Sequence, residues 1–201
     1  DMLSGPNLRF IPPPRETIDR RLPPSRLITK IMKLALTYLP AKLLNPFVLR
    51  FTTTSMAPEL DLFRNGALLI NKLGARIDAP PPQLGLRIAE QPDKMGYVIM
   101  DSALARKYSA WPDFIATAPG VAYAYFDDFR RTRPDLFYKA ASIPELAANL
   151  GIDPGGLQDA ISTHNNGDAP NKLTTAPFYA LGPAKSYIVL TDGGLAVNES
   201  L

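Results

Sequence analysis

The chain has 201 residues, 46% of them hydrophobic, with 22 Lys and Arg against 19 Asp and Glu for a formal net charge of +3. That length supports one domain or two small ones around a real core. With no Cys and a single His, disulfide frameworks and thiol nucleophiles are excluded, and a zinc or non-haem iron site made by this chain alone is not expected.

The 21 prolines are about twice the usual share; they break long helices and predict short elements in an α+β chain. Absent cysteine fits a reducing compartment, so the expected location is cytoplasmic, with membrane association as its variant. The chain starts at Asp1 without a secretory pattern, and Ser186–Leu201 reads as strand, Gly-Gly turn and strand. The expectation is a piece of a longer protein.

Residues 1–55 hold nine Lys and Arg against three Asp and Glu, and the remainder thirteen against sixteen. The first segment has proline clusters at Pro12–Pro14 and Pro23–Pro24, which read as extended chain. Between Arg26 and Leu39, polar residues recur every three to four positions (Arg26, Thr29/Lys30, Lys33, Thr37) among Leu, Ile, Met, Ala and Tyr. This predicts an amphipathic helix with a wide apolar face and a narrow basic stripe, ended by Pro40. It is too short to span a bilayer, which takes roughly 20 apolar residues. Its apolar face either packs on protein or lies on a membrane surface. The charge is too dilute for a phosphate track, so no nucleic-acid partner is expected.

Pro58 suits the start of a helix over Ala57–Arg64, and Asn65-Gly66 a left-handed stop. Ala67–Asn71 predicts a strand, Lys72–Gly74 a turn and Ala75–Asp78 a return strand, with Pro80–Pro82 as a closing loop. Gly96–Met100 predicts another strand, followed by a helix from Asp101 or Ser102 to about Ser109. Over Val121–Lys139, aromatic residues alternate with Arg130, Arg131 and Arg133, but Asp127, Asp128 and Asp135 sit among them. That mixture reads as an amphipathic protein surface rather than a single-strand binding track.

Ser142-Ile-Pro-Glu145 is a capping-box pattern opening a helix that Gly151 ends. Asp153-Pro154 caps a second one. There, Leu157, Ala160, Ile161 and His164 fall on one face and Asn165-Asn166-Gly167 stops it. His164 reads as a structural histidine at the end of a buried stripe, near the negative end of the helix dipole.

Four segments in order, NGALLINKLGARI (Asn65–Ile77), SIPELAANLGIDPGGLQDAISTHNN (Ser142–Asn166), APFYAL (Ala176–Leu181) and TDGGLAVN (Thr191–Asn198), resemble the flavoprotein subunits of fumarate reductase and succinate dehydrogenase, a family that includes ketosteroid dehydrogenases. The resemblance covers about residues 56–201. It implies the smaller α+β capping domain that interrupts an FAD-binding Rossmann domain, with substrate held between the cap and the flavin. Residues 1–55 then form a basic proline-rich segment, 56–185 the capping or substrate domain, and 186–201 a return strand toward an FAD-binding domain elsewhere in the same polypeptide. No G-x-G-x-x-G fingerprint occurs here, so no complete Rossmann domain is expected.

Within that resemblance, Gly193-Gly194 corresponds to the pair that lets backbone approach the isoalloxazine ring, since residues without Cβ can sit against a planar system. The other reading is a plain turn between strands. Thr191 stands where the family often has Thr, with a hydroxyl able to reach substrate or flavin. Leu60–Arg64 matches the family's Thr-Glu-x-x-Arg segment, one residue shorter before Gly66. Asp61 and Arg64 would share a helix face, either to clamp an anion or pass a proton, or as a solvated ion pair.

Two family cations are missing. No Arg occurs in Ala79–Leu84, Arg87 is out of register, and Leu190 stands where fumarate reductases place His before Thr-Met-Gly-Gly. A dicarboxylate needs cations on both carboxylates, and reduction of a polarised C=C needs an acid. The resemblance therefore implies an FAD-dependent oxidoreductase acting on a carbon–carbon bond beside a carbonyl, on a small and rather apolar molecule instead of fumarate or succinate. The piece alone should be inactive. A non-catalytic module that docks to a membrane or partner through the basic helix is the alternative.

Overall fold

The computed structural model describes residues 7–13, 25–38, 49–50, 52–54, 56–118 and 122–188. Its centre is an antiparallel sheet built around one long strand near the end of the chain. The strands are β1 (Asn7–Phe10), β2 (Leu68–Asn71), β3 (Met95–Met100), β4 (Ala116–Ala118), β5 (Ala122–Ala124), β6 (Phe137–Ala140) and β7 (Phe178–Tyr187). The main sheet runs β1-β7-β3-β2, with β6 also paired to β7, while β4 and β5 form a separate two-stranded ribbon.

One edge of β7 is taken by β3 over Tyr179–Lys185. The other is shared end to end by β6, along Phe178–Leu181, and β1, along Ala184–Tyr187. Gly182 and Pro183 fall in the gap between those two partners, facing the point where β3 skips register between Gly96 and Val98. A proline lacks the N–H that a ladder requires, and here no partner asks for it. Its carbonyl is used, accepting from Ile11 N at 3.1 Å.

The α+β class expected from the sequence is what the structure has. The helices are α1 (Arg26–Tyr38), α2 (Leu60–Arg64), α3 (Leu84–Ala89), α4 (Ser102–Lys107), α5 (Phe126–Thr132), α6 (Ile143–Leu150) and α7 (Pro154–Asn166). All four residues of β2 and five of six in β3 are buried, so this part of the sheet is covered on both faces. α7 packs on β2 and α6, α6 on β6, and α3 on β1 and β7.

The capping signals act nearly as read. Ser142 Oγ accepts from Glu145 N, but the Glu145 carboxylate reaches back to Ala141 N, one residue earlier than in a strict capping box. Gly151 takes the left-handed conformation at φ 65°, and Asp153 Oδ2 accepts from Gly156 N at 2.7 Å.

Other expectations are corrected. The helix expected from Ala57 begins at Leu60. Ala75–Asp78 is not a strand; it makes a single bridge, Ile70 to Arg76. The buried Asn71 side chain fixes this turn instead, its Oδ1 accepting from Leu73 N and Ala75 N. Within residues 1–55, read from sequence as a basic proline-rich segment, Asn7–Phe10 pairs with β7 in the main sheet. Ser186 and Tyr187 end β7 rather than start a new strand.

Candidate functional site

The site is organised by the turn Asn65-Gly66, which stops α2 and starts β2. Gly66 has φ +104°, and a Cβ there would lie 2.7 Å from Asn171 O, so only glycine fits. Asn171 Nδ2 donates to Asn65 O at 2.6 Å. The Asn65 amide donates to Tyr108 Oη at 3.1 Å, and its oxygen accepts from Lys107 Nζ. Burial pushes the Tyr108 phenol up to about 12, so it stays protonated.

The far side is set by α7. Its first turn is wedged against the 71–75 turn: a Cβ on Gly74 would meet Leu157 N at 2.8 Å, and one on Gly156 would meet Leu73 O at 2.7 Å. With that end pinned, the stripe Leu157, Ala160, Ile161 and His164 is buried along its length. His164 arrives opposite Gly66, its Nε2 3.3 Å from Asn171 O. Burial holds its pKa below the ordinary value, with the Asn171 carbonyl opposing that and Arg76 and Lys172 adding to it.

Between these walls lies an open cleft of about 540 Å³, lined by Phe63, Arg64, Arg76, Ile77 and Leu84 and by His164 with the following loop to Pro170. Both arginines have carboxylate partners. Arg64 Nη1 is 3.0 Å from Asp61 Oδ1, and Arg76 Nη2 is 2.9 Å from Asp78 Oδ1. The sequence candidates Asp61 and Arg64 are thus side by side on α2, their side chains 66% and 57% exposed, and only Arg64 lines the cleft. The structure brings Arg64 and His164 to one cavity, a juxtaposition that their distance along the chain hides from sequence reading.

A second hollow of about 320 Å³ opens beside the start of α2, lined by Leu8, Glu59, Leu60, Pro81, Pro82 and Gly85 among others. Glu59 was not singled out from sequence. Partial burial, then the nearby Asp61 charge, raises its carboxyl pKa. The available signal was a carboxylate directly after Pro58 and two residues before Asp61. Ala79–Leu84, which carries no Arg, gives apolar residues to both hollows. Arg87 turns to Glu90, 2.9 Å away at the C-terminal cap of its own helix.

The flavin-contact candidates Thr191, Gly193 and Gly194 lie outside the described residues. Within the described chain, the tight glycines Gly66, Gly74, Gly96 and Gly182 have the space above them filled by the protein's own atoms. None of these four offers a cradle for a planar ring.

No family model matches the chain. Among solved structures, it is similar to the open conformation of a flavocytochrome c3 fumarate reductase, at 20% identity and TM-score 0.50, over 67% of this chain and 24% of that one. It is similar at 20% identity and TM-score 0.44 to 3-ketosteroid-Δ4-(5α)-dehydrogenase from Rhodococcus jostii RHA1 in complex with 4-androstene-3,17-dione, over 64% of this chain and 27% of that one. A fumarate reductase flavoprotein subunit from Lactobacillus plantarum matches at 17% identity and TM-score 0.40, over 67% of this chain and 92% of that one. The chain spans about a quarter of the length of the first two. About two thirds of the chain shares the fold of part of the flavocytochrome c3 fumarate reductase chain.

Proposed function

We propose that this chain is the substrate-side, capping part of an FAD-dependent oxidoreductase that acts on a carbon–carbon bond adjacent to a carbonyl. The observation that carries the reading is the shared fold with part of a flavocytochrome c3 fumarate reductase. The order of the four sequence motifs supports it. FAD, when bound, would supply the hydride chemistry. Most of its site would lie in an FAD-binding domain of the same polypeptide, with Thr191, Gly193 and Gly194 as this chain's contribution.

What the described residues contribute is binding and exclusion of water. The substrate would be less charged than fumarate, because Arg64 and Arg76 are each tied to a carboxylate and Ala79–Leu84 offers the clefts no cation. Ile77, Leu84 and Pro81 suit an apolar body against the wall, as a cyclic enone would present. Glu59 lines the neighbouring hollow, which shares Pro81 with the cleft, and its raised pKa suits a carboxyl that would hold a proton there.

The test uses the complete polypeptide, purified and assayed for flavin absorbance and for dye-coupled turnover of cyclic enones and of fumarate. A yellow protein that turns over an enone faster than fumarate is expected, and the 201-residue piece alone should be colourless and inactive. A flavin-loaded 201-residue piece, or a complete protein specific for fumarate, would overturn the proposal.

A further inference from the structure

Helix α1 carries an apolar stripe that the described protein leaves uncovered. Leu27, Ile31, Leu34 and Tyr38 are 68%, 57%, 61% and 75% exposed. Their spacing of four, three and four residues puts them on one line, about 17 Å long at the α-helical rise. Arg26, Lys30 and Lys33 are exposed as well and lie roughly a quarter-turn to one side of that line. No acidic residue occurs from Arg26 to Tyr38, and none of the three cations is ion-paired among the described residues.

We propose that α1 lies flat on a bilayer surface that contains anionic phospholipid. The stripe enters the boundary between headgroups and acyl chains, and Arg26, Lys30 and Lys33 meet the headgroup phosphates. Charge complementarity selects this occupant. An apolar groove on a protein would cover the stripe without any need for a flank of unpaired cations, whereas an anionic lipid surface matches both at once. Tyr38, with an apolar ring and a polar hydroxyl, suits the same interface. The helix lies on the membrane and does not cross it, since among the described residues no helix is long and apolar enough to span one. This inference does not depend on the proposed oxidoreductase activity.

The test is flotation of the full chain with vesicles of phosphatidylcholine alone or mixed with phosphatidylglycerol, at low and high salt. Binding is expected only to the mixed vesicles, weakening as salt screens the headgroup charge. Neutralising Lys30 and Lys33 to Gln should lower partition roughly fivefold per cation, and Ile31→Glu with Leu34→Glu should abolish it. Far-UV circular dichroism checks that the variants fold, and the wild-type lipid and salt comparison needs no variant. Three results would overturn the proposal: no binding to the mixed vesicles, binding that the Ile31/Leu34 variant leaves intact, or self-association in lipid-free buffer that this variant removes. The last would assign the stripe to a second copy of the chain.

Discussion

α1 and α7 are both thirteen-residue helices with an apolar stripe written at helical spacing. On α7 the stripe Leu157–Ala160–Ile161–His164 is buried against the sheet and α6, and on α1 Leu27–Ile31–Leu34–Tyr38 is exposed. Amphipathic spacing states that a face is to be covered, not by what. What differs is the neighbourhood. α7 follows the Asp153 cap, which accepts from Gly156 N, and its first turn packs closely on the 71–75 turn at Gly74 and Gly156.

The largest effect should come from removing atoms from the covered stripe. Leu157 is fully buried, so Leu157→Ala should cost about 2–5 kcal/mol in urea unfolding. Leu34→Ala on the exposed stripe should stay within about 0.5 kcal/mol. Equal losses at both positions would mean that α1 is covered within this chain after all, and the contrast between the helices would be gone.

The cap sharpens the same contrast. Asp153→Ala leaves Gly156 N without its 2.7 Å acceptor and should cost about 1 kcal/mol. A loss well above that would show that the cap also fixes the packing of α7 on the 71–75 turn.

A narrower effect sits at the end of the covered stripe. Burial lowers the His164 pKa from 6.5, so the unfolded chain takes up the proton first as pH falls. The contribution of neutral His164 is complete above 6.5 and is lost as pH drops toward the folded-state value. The urea midpoint should therefore fall on acidification through this window, and His164→Gln should flatten that limb. A wild-type midpoint that is level from neutrality to about pH 5 would show that the imidazole protonates without leaving its place.

These helices also mark what the sequence made legible. Local signals survived: Ser142, Gly151 and Asp153-Pro154 fix the ends of α6 and α7 because the bonds they make span three or four residues. The stripe on α7 was readable for the same reason. β7 was not, because Gly182-Pro183 reads as a break, and the two neighbours and the register skip that accommodate it come from residues 7–10, 95–100 and 137–140. β1 carries no local mark of its pairing with a strand near the other end of the chain. The meeting of Arg64 with His164 depends on the fold in the same way, and the raised pKa of Glu59 on a hollow closed by Leu8 and Pro81.

The smallest effect is expected at the exposed face of α2, and it is informative because it is small. Asp61 and Arg64 form an ion pair at 3.0 Å with most of both side chains in water, where such pairs contribute about 0–1 kcal/mol. Asp61→Asn should leave the urea midpoint nearly unchanged. The same substitution in the complete polypeptide separates the two readings of the pair, with flavin content and turnover as readouts. A solvated bridge predicts unchanged turnover, since nothing that the pair holds is needed by the cleft. If Asp61 instead restrains Arg64 beside the substrate, turnover falls at constant stability and flavin content, and Asp61→Glu restores part of it. Exposure within this chain then has the meaning it has on α1: a face left open because its partner is not among the described residues.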